Sequence, residues 1–383
     1  MKQIKTILTM ILLVVLAGCG GDKQSLITVD VTKSYPKKEL ILQDFMDVEY
    51  IPLETSDTFL TQGVVSSIGN DYILVRNRVN DGELFIFDRK TGKGVRKINR
   101  KGQGPEEYEN LSGGVRIVLD EANGEMFVKS SKKIHVYDLY GNFKRSFLSS
   151  HTDIFDYDKD NLIGYDMSDY YKRGEDRKKA YHVILSKQDG STTREIFIPF
   201  ETIHTPIVSK SGGIASTGEF SQIIPNQSKW ILADTSSDTL YTYSQNNKLN
   251  PFLVRTPSTY AMNPEIYLSI MALTDSYIFM KTVKNDFDFE TGRGFNVNAL
   301  MYDRKENAIF EYAIYNDDYT ERRPLLSMMW WPYNHEIAAC IILEAYQLVE
   351  DYQKGILKGK LKEIAAKLDA EDNPVIMLVK QKK

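Results

Sequence analysis

Short apolar runs separated by polar turns recur along this chain with one plan. Residues 72–76, 125–129, 161–165, 230–234 and 277–281 each form an apolar run of five residues. After a loop, a second run follows each of them, ends polar and turns: 84–88, 134–138, 181–186, 240–244 and 299–303. Such short runs, rich in aromatic and β-branched residues, predict strands rather than helices. The end residues 88, 138, 186, 244 and 303 lie 50, 48, 58 and 59 apart. Behind them stand Thr91-Gly92, Tyr140-Gly141-Asn142, Asp189-Gly190, Asn246-Asn247 and Glu306-Asn307. These residues tolerate tight or left-handed turns. A further short strand follows, as at 94–98, 143–147 and 194–198.

A sheet of three or four such strands is too small to bury both of its faces alone. Radial stacking buries the faces and shelters the edges, so the repeat predicts an all-β propeller. Five full units fit between Thr61 and Tyr319, leaving one strand at 47–53 and one at 373–380. If both join the last blade, the ring closes as a six-bladed β-propeller; an open ring would expose two apolar sheet faces. Residues 26–31 are a candidate for one further strand. Apolar positions 337, 341, 345, 348 and 352, then 357, 361, 364 and 368, follow the helix period, with Gly355 and Gly359 marking a bend. They predict a helical insertion in blade six over 336–370, its apolar stripe packed on the propeller. The competing arrangement is a second, sandwich-type domain.

The start of the chain changes the picture. Lys2 and Lys5 precede an uncharged, largely apolar run over 6–21. That run is shorter than the roughly 20 residues a membrane span needs, and it has the order of an export signal. Leu16-Ala17-Gly18-Cys19 resembles the lipobox of bacterial lipoproteins. The resemblance implies cleavage before Cys19 and its acylation, with a signal peptide over 1–18, a lipidated tether over 19–25 and the propeller over 26–383. Several acyl chains at about 0.8 kcal/mol per buried CH₂ make a lasting membrane anchor. Asp22, close behind the cysteine, resembles the surface-export signal of Bacteroidetes lipoproteins. An outer-membrane lipoprotein facing either the periplasm or the cell surface is expected. The alternative is an ordinary signal peptide with an incidental cysteine.

The 48 basic and 52 acidic residues give a net charge of −4, with no basic excess for nucleic acid. With Cys19 acylated, Cys340 is the one remaining thiol; it reads as a buried small side chain in the helical pattern, so stability must come from packing.

Candidate chemistry gathers in long loops. In a four-stranded blade, the loops between second and third strands share a face with the crossovers between blades. Two of these loops, 166–179 and 283–294, are long, and the crossover 101–108 joins them on that face. Loops on a rigid scaffold collect binding groups, and aromatic rings beside charged forks suit glycans or peptides. The candidate ligand-binding residues are Glu106, Glu107 and Tyr108 in the crossover, and Tyr170, Tyr171 and Arg173 in the first loop. Asp286, Asp288 and Arg293 in the second loop join them, with Trp330, Trp331 and His335 in the sixth blade. The plainer reading is that the loops are solvated and the tryptophans cover the helices.

Ile51-Pro52-Leu53-Glu54-Thr55, the crossover from Gly102 to Tyr108 and Asn373-Pro374-Val375-Ile376 together resemble the six-bladed β-propeller lipoproteins of gut Bacteroidetes, with NHL-like blades, over about 26–383. Where that family commonly shows Gly-Pro-Gly-Glu, this chain has Gly104-Pro105-Glu106-Glu107, which implies a less tight turn. The resemblance implies an envelope lipoprotein working beside nutrient-uptake machinery, and it supplies no catalytic set.

Several familiar chemistries fail on their spacing. His335-Glu336 begins like a zinc helix, but Ala339 stands where the second histidine belongs. Residues 156–161 imitate a calcium loop, with Asn161 in place of the turn glycine and Met167 in place of the last glutamate. There is no Gly-x-Ser-x-Gly elbow and no phosphate loop. Neither metal nor cofactor is expected. The sequence supports a non-catalytic envelope lipoprotein that binds a glycan, a peptide or an envelope-protein partner. The alternative is a propeller enzyme, such as a polysaccharide lyase or hydrolase acting at the central axis.

Overall fold

The computed structural model describes residues 26–111, 117–166, 181–210, 213–216, 220–325 and 332–382. Six small sheets surround one axis. Blade one comprises Val64–Ile68, Tyr72–Arg76, Glu83–Asp88 and Gly94–Asn99, antiparallel from the axis outward. Blades two to five repeat this order, starting with the inner strands Ile117–Asp120, His151–Asp156, Ile223–Asn226 and Ile266–Leu273. The periodic runs in the sequence are the second and third strands of these blades.

Alternation along each strand explains the stacking. Ile73 and Val75 point into the wedge shared with blade six, while Leu74 between them points toward blade two. Leu162 likewise faces blade two and Ile163 faces blade four. Side chains of period two thus feed the wedges on both sides of every blade.

Blade six is built from Ile337–Leu343, Val375–Gln381 and the N-terminal Met46–Pro52. Val48 stands opposite Val379 and Ile51 opposite Ile376, so head and tail of the chain close the ring. The N-terminal segment does more than this. Ile27–Asp30 adds a parallel strand to the outer edge of blade four, where Val29 is opposite Arg255. Lys37–Ile41 does the same for blade five. The strand expected around 26–31 therefore belongs to blade four, and the segment laps three consecutive blades before it enters blade one.

The helical insertion is shorter than its periodicity suggests. Residues 337–343 are strand, and the helices are Ala345–Gln353 and Gly359–Ala365. Ile337 to Leu343 is an unbroken apolar run, which a strand buried on both faces and a buried helix satisfy equally. Cys340 therefore lies on a strand, where burial pushes its thiol well above the ordinary range. Leu348, Leu357, Leu361 and Ile364 pack on Val375, Tyr50 and Tyr319 of the propeller. Glu344 pairs with Arg78 of blade one at 2.6 Å, which places the helices at the face carrying the loops between second and third strands.

Candidate functional site

The inner strands of blades one to three run away from the crossovers and end in short turns on the opposite face. Their last residues, Ile68, Asp120 and Asp156, border a cavity of about 360 Å³ around the axis. Trp230 of blade four and the turn before Ile337 complete its wall. That turn is held by its own amide: Asn334 Oδ1 accepts from the N–H of Glu336 at 2.9 Å and of Ile337 at 2.8 Å. Its Nδ2 donates to the Ile68 carbonyl at 2.9 Å, tying the turn to blade one.

One wall is aromatic. The His335 ring meets Trp230 edge-on, with centroids 4.6 Å apart, and Trp230 in turn packs on Phe155 at 5.7 Å. Burial holds the His335 imidazole below its ordinary pKa, so it is neutral at pH 7, and its Nδ1 is enclosed without a hydrogen-bond partner. The facing wall is acidic. Lys187 of blade three, itself buried, donates to Asp120 at 2.6 Å and to Asp156 at 2.7 Å. Burial works against the Lys187 charge, but these two carboxylates outweigh it and hold the ammonium above its usual range. Asp156 shows 45% of its side chain to the cavity, yet the surrounding protein desolvates it and raises its pKa in spite of Lys187.

Glu121 lines the cavity but is committed to structure. Its carboxylate accepts from the N–H groups of Asn70, Asp71 and Tyr72 at 2.6, 3.0 and 2.9 Å, clamping blade two to blade one. A Cβ at Gly69 would lie 2.2 Å from Glu121 Oε1, so the clamp requires glycine there. Among the described residues, no group of three or more His, Cys, Asp or Glu is placed to hold a metal ion. The arrangement offers the partly exposed His335 ring, backed by the buried Trp230 and Phe155, and the accessible carboxylates of Asp156 and Glu336 to a small polar ligand.

The sequence-derived candidates are dispersed. His335 lies on the axial cavity, at the face opposite the crossovers. Tyr108 is buried, donates to the Gly82 carbonyl at 2.6 Å and accepts from the Arg100 N–H at 3.0 Å. Glu107 accepts from the Gly104 N–H at 2.8 Å, and the Glu106 carbonyl accepts from Tyr137. The crossover thus folds on itself. Asp288 closes the hairpin of Phe287–Asp288 with Arg293–Gly294, Asp286 lies 3.3 Å from Lys284, and Arg293 is exposed. This group sits in blade five, away from the crossover between blades one and two. Cys19, Tyr170, Tyr171, Arg173, Trp330 and Trp331 lie outside the described residues.

Sequence reasoning missed Asp120, Asp156, Lys187, Trp230 and Glu336. The false calcium loop held one signal: Asp158 closes its turn by accepting from Asp160 and Asn161, which leaves Asp156 free to face the axis.

Fold and cavity define a six-bladed β-propeller with an axial pocket of mixed aromatic and acidic lining. Residues 21–331 match the family described as 6-bladed beta-propeller (DUF5128), and the chain belongs to that family. The crystal structure of a Bacteroides fragilis protein described as exported aligns with a TM-score of 0.59 at 16% identity, over 94% of this chain and 100% of that one. A DUF4221 member from Bacteroides vulgatus aligns with a TM-score of 0.47 at 10% identity, over 88% of this chain and 98% of the other. No curated protein matches the chain.

Proposed function

We propose that this protein is a non-catalytic binding lipoprotein of the outer membrane, anchored through acylated Cys19, that takes a glycan in its axial cavity. The observation that carries the reading is the pairing of Trp230, His335 and Phe155 with Asp156 and Glu336 around one cavity. Sugar C–H faces pack on aromatic rings while sugar hydroxyls donate to carboxylates. A cavity of about 360 Å³ falls within the range of small-ligand sites. The lipobox-like Leu16-Ala17-Gly18-Cys19 and the motifs shared with NHL-like propeller lipoproteins support the anchor and the envelope setting.

Calorimetry against neutral oligosaccharides and short peptides tests the reading. Saccharide binding is expected, weakened about tenfold in Asp156→Asn and in His335→Ala, as for loss of one charge-assisted bond or one ring contact. Binding of peptides alone, or of neither class, overturns it. For the anchor, Cys19→Ser is expected to move the protein from the membrane to the soluble fraction; unchanged fractionation refutes acylation there.

One observation favours a second reading. A carboxyl raised by burial in an axial cavity, as in Asp156, has the character of a general acid. Polysaccharide cleavage by the wild type that vanishes in Asp156→Asn while binding persists would establish an enzyme.

A further inference from the structure

Three blades carry a basic residue at one equivalent place, directly after the third strand: Arg89 after Asp88, Lys187 after Ser186 and Arg304 after Asp303. In each, the backbone N–H donates to the carbonyl just before the second strand. Arg89 reaches Asp71 at 2.8 Å, Lys187 reaches Asp160 at 2.9 Å, and Arg304 reaches Ser276 at 2.9 Å. The three side chains therefore leave the backbone from matching points.

In two of the three, the side chain meets a carboxylate of the preceding blade. Arg89 lies 3.7 Å from Glu336 in blade six, and Lys187 lies 2.6 Å from Asp120 in blade two. Arg304 has no such partner. Half-buried, it makes no side-chain hydrogen bond or ion pair among the described residues, and its Nε is enclosed and unsatisfied.

The reason lies in the preceding blade. Asp120 is the last residue of the inner strand in blade two; the last residue of the inner strand in blade four is Asn226. Gln227 and Ser228 follow it, both neutral. A cleft of about 340 Å³ lies between blades four and five, lined by Asn226, Gln227, Lys229, Asp275 and Arg304. Arg304 and Lys229 are the cations facing the cleft; Asp275, which accepts from Gln227 at 2.9 Å, also lines it and acts on Arg304 through space without an ion pair.

We propose that this cleft is a carboxylate-binding site, in which a ligand's carboxylate takes the place that Asp120 takes beside Lys187. A guanidinium fork matches a planar carboxylate with two parallel hydrogen bonds, and a half-buried one with no directly paired carboxylate gains most from them. The site is separate from the axial cavity. Uronic acids and peptide C-termini both present the group.

The test is calorimetry of the full chain with glucuronate, N-acetylalanine and, as the uncharged control, glucose. Binding of at least one carboxylate is expected and depends on Arg304, whereas any heat from glucose is the same in Arg304→Gln as in the wild type; which carboxylate binds identifies the source. Asn226→Asp supplies the missing acid, so it is expected to abolish carboxylate binding and raise the melting temperature. Arg304→Gln weakens binding about tenfold or more, while Lys305→Gln, at the exposed neighbouring position, leaves it unchanged. Carboxylate binding that survives both Asn226→Asp and Arg304→Gln overturns the proposal. So does the absence of carboxylate binding to the wild type up to about 10 mM, the weak end of specific affinity.

Discussion

Asn373 shows how one side chain closes a ring. Buried, it accepts from the Thr61 N–H at 2.9 Å and donates to the carbonyls of Glu54, at 2.7 Å, and Phe59. Its own N–H donates to Thr55 at 2.8 Å. The neighbouring Pro374 packs so closely on Gly63 that a Cβ there would stand 2.4 Å away. The two terminal motifs that carry the family resemblance therefore meet in space and mark the closure, not the cavity. Asn373→Ala leaves these groups without a partner and is expected to cost about 2–4 kcal/mol, read as a lower denaturant midpoint at unchanged slope. Glu125 makes a pH-dependent contribution. Arg145 hydrogen-bonds its carboxylate at 2.9 and 2.6 Å, Lys144 lies at 2.5 Å, and together they overcome burial to bring its pKa down to about 2. The unfolded chain binds the proton more readily, so this stability is fully present above pH 4.5 and lost as the pH falls toward 2. Glu125→Gln should flatten that part of an acid-stability profile, a difference of about 3 kcal/mol at neutral pH.

Elements show which sequence signals are reliable. The second and third strands of blades one to five were legible because they are the most buried and regular, and they end in turn residues such as Gly92 and Gly141, both at positive φ. Inner strands were harder. Those of blades two and four have four residues each, and those of blades one, three and five carry a register shift that breaks strict alternation. The lapping strands Ile27–Asp30 and Lys37–Ile41 pair in parallel with partners more than 200 residues away, which no local pattern records. Starting the chain at Pro36 removes the first of them and bares the edge of Leu249–Thr256, including the buried Phe252 and Leu253. A lower melting temperature and concentration-dependent association are expected, measured by thermal scans and light scattering.

The whole molecule separates what local chemistry dictates from what packing decides. The sequence by itself determined the strand repeat, the number of blades and the use of both chain ends in the last one. Each of these follows from side-chain alternation and from sheets too small to bury their faces singly. Only the tertiary structure decided where polar groups converge. Asp120, Asp156, Lys187, Trp230 and His335 come from four blades and sit near one another because the strand ends and turns of those blades converge on one face. The same holds for the unmatched Arg304, whose lack of a partner is visible only when blades three and five are compared in register. Propeller strands specify their own sheet locally, but the axis and the clefts between blades are made by residues that share no sequence neighbourhood.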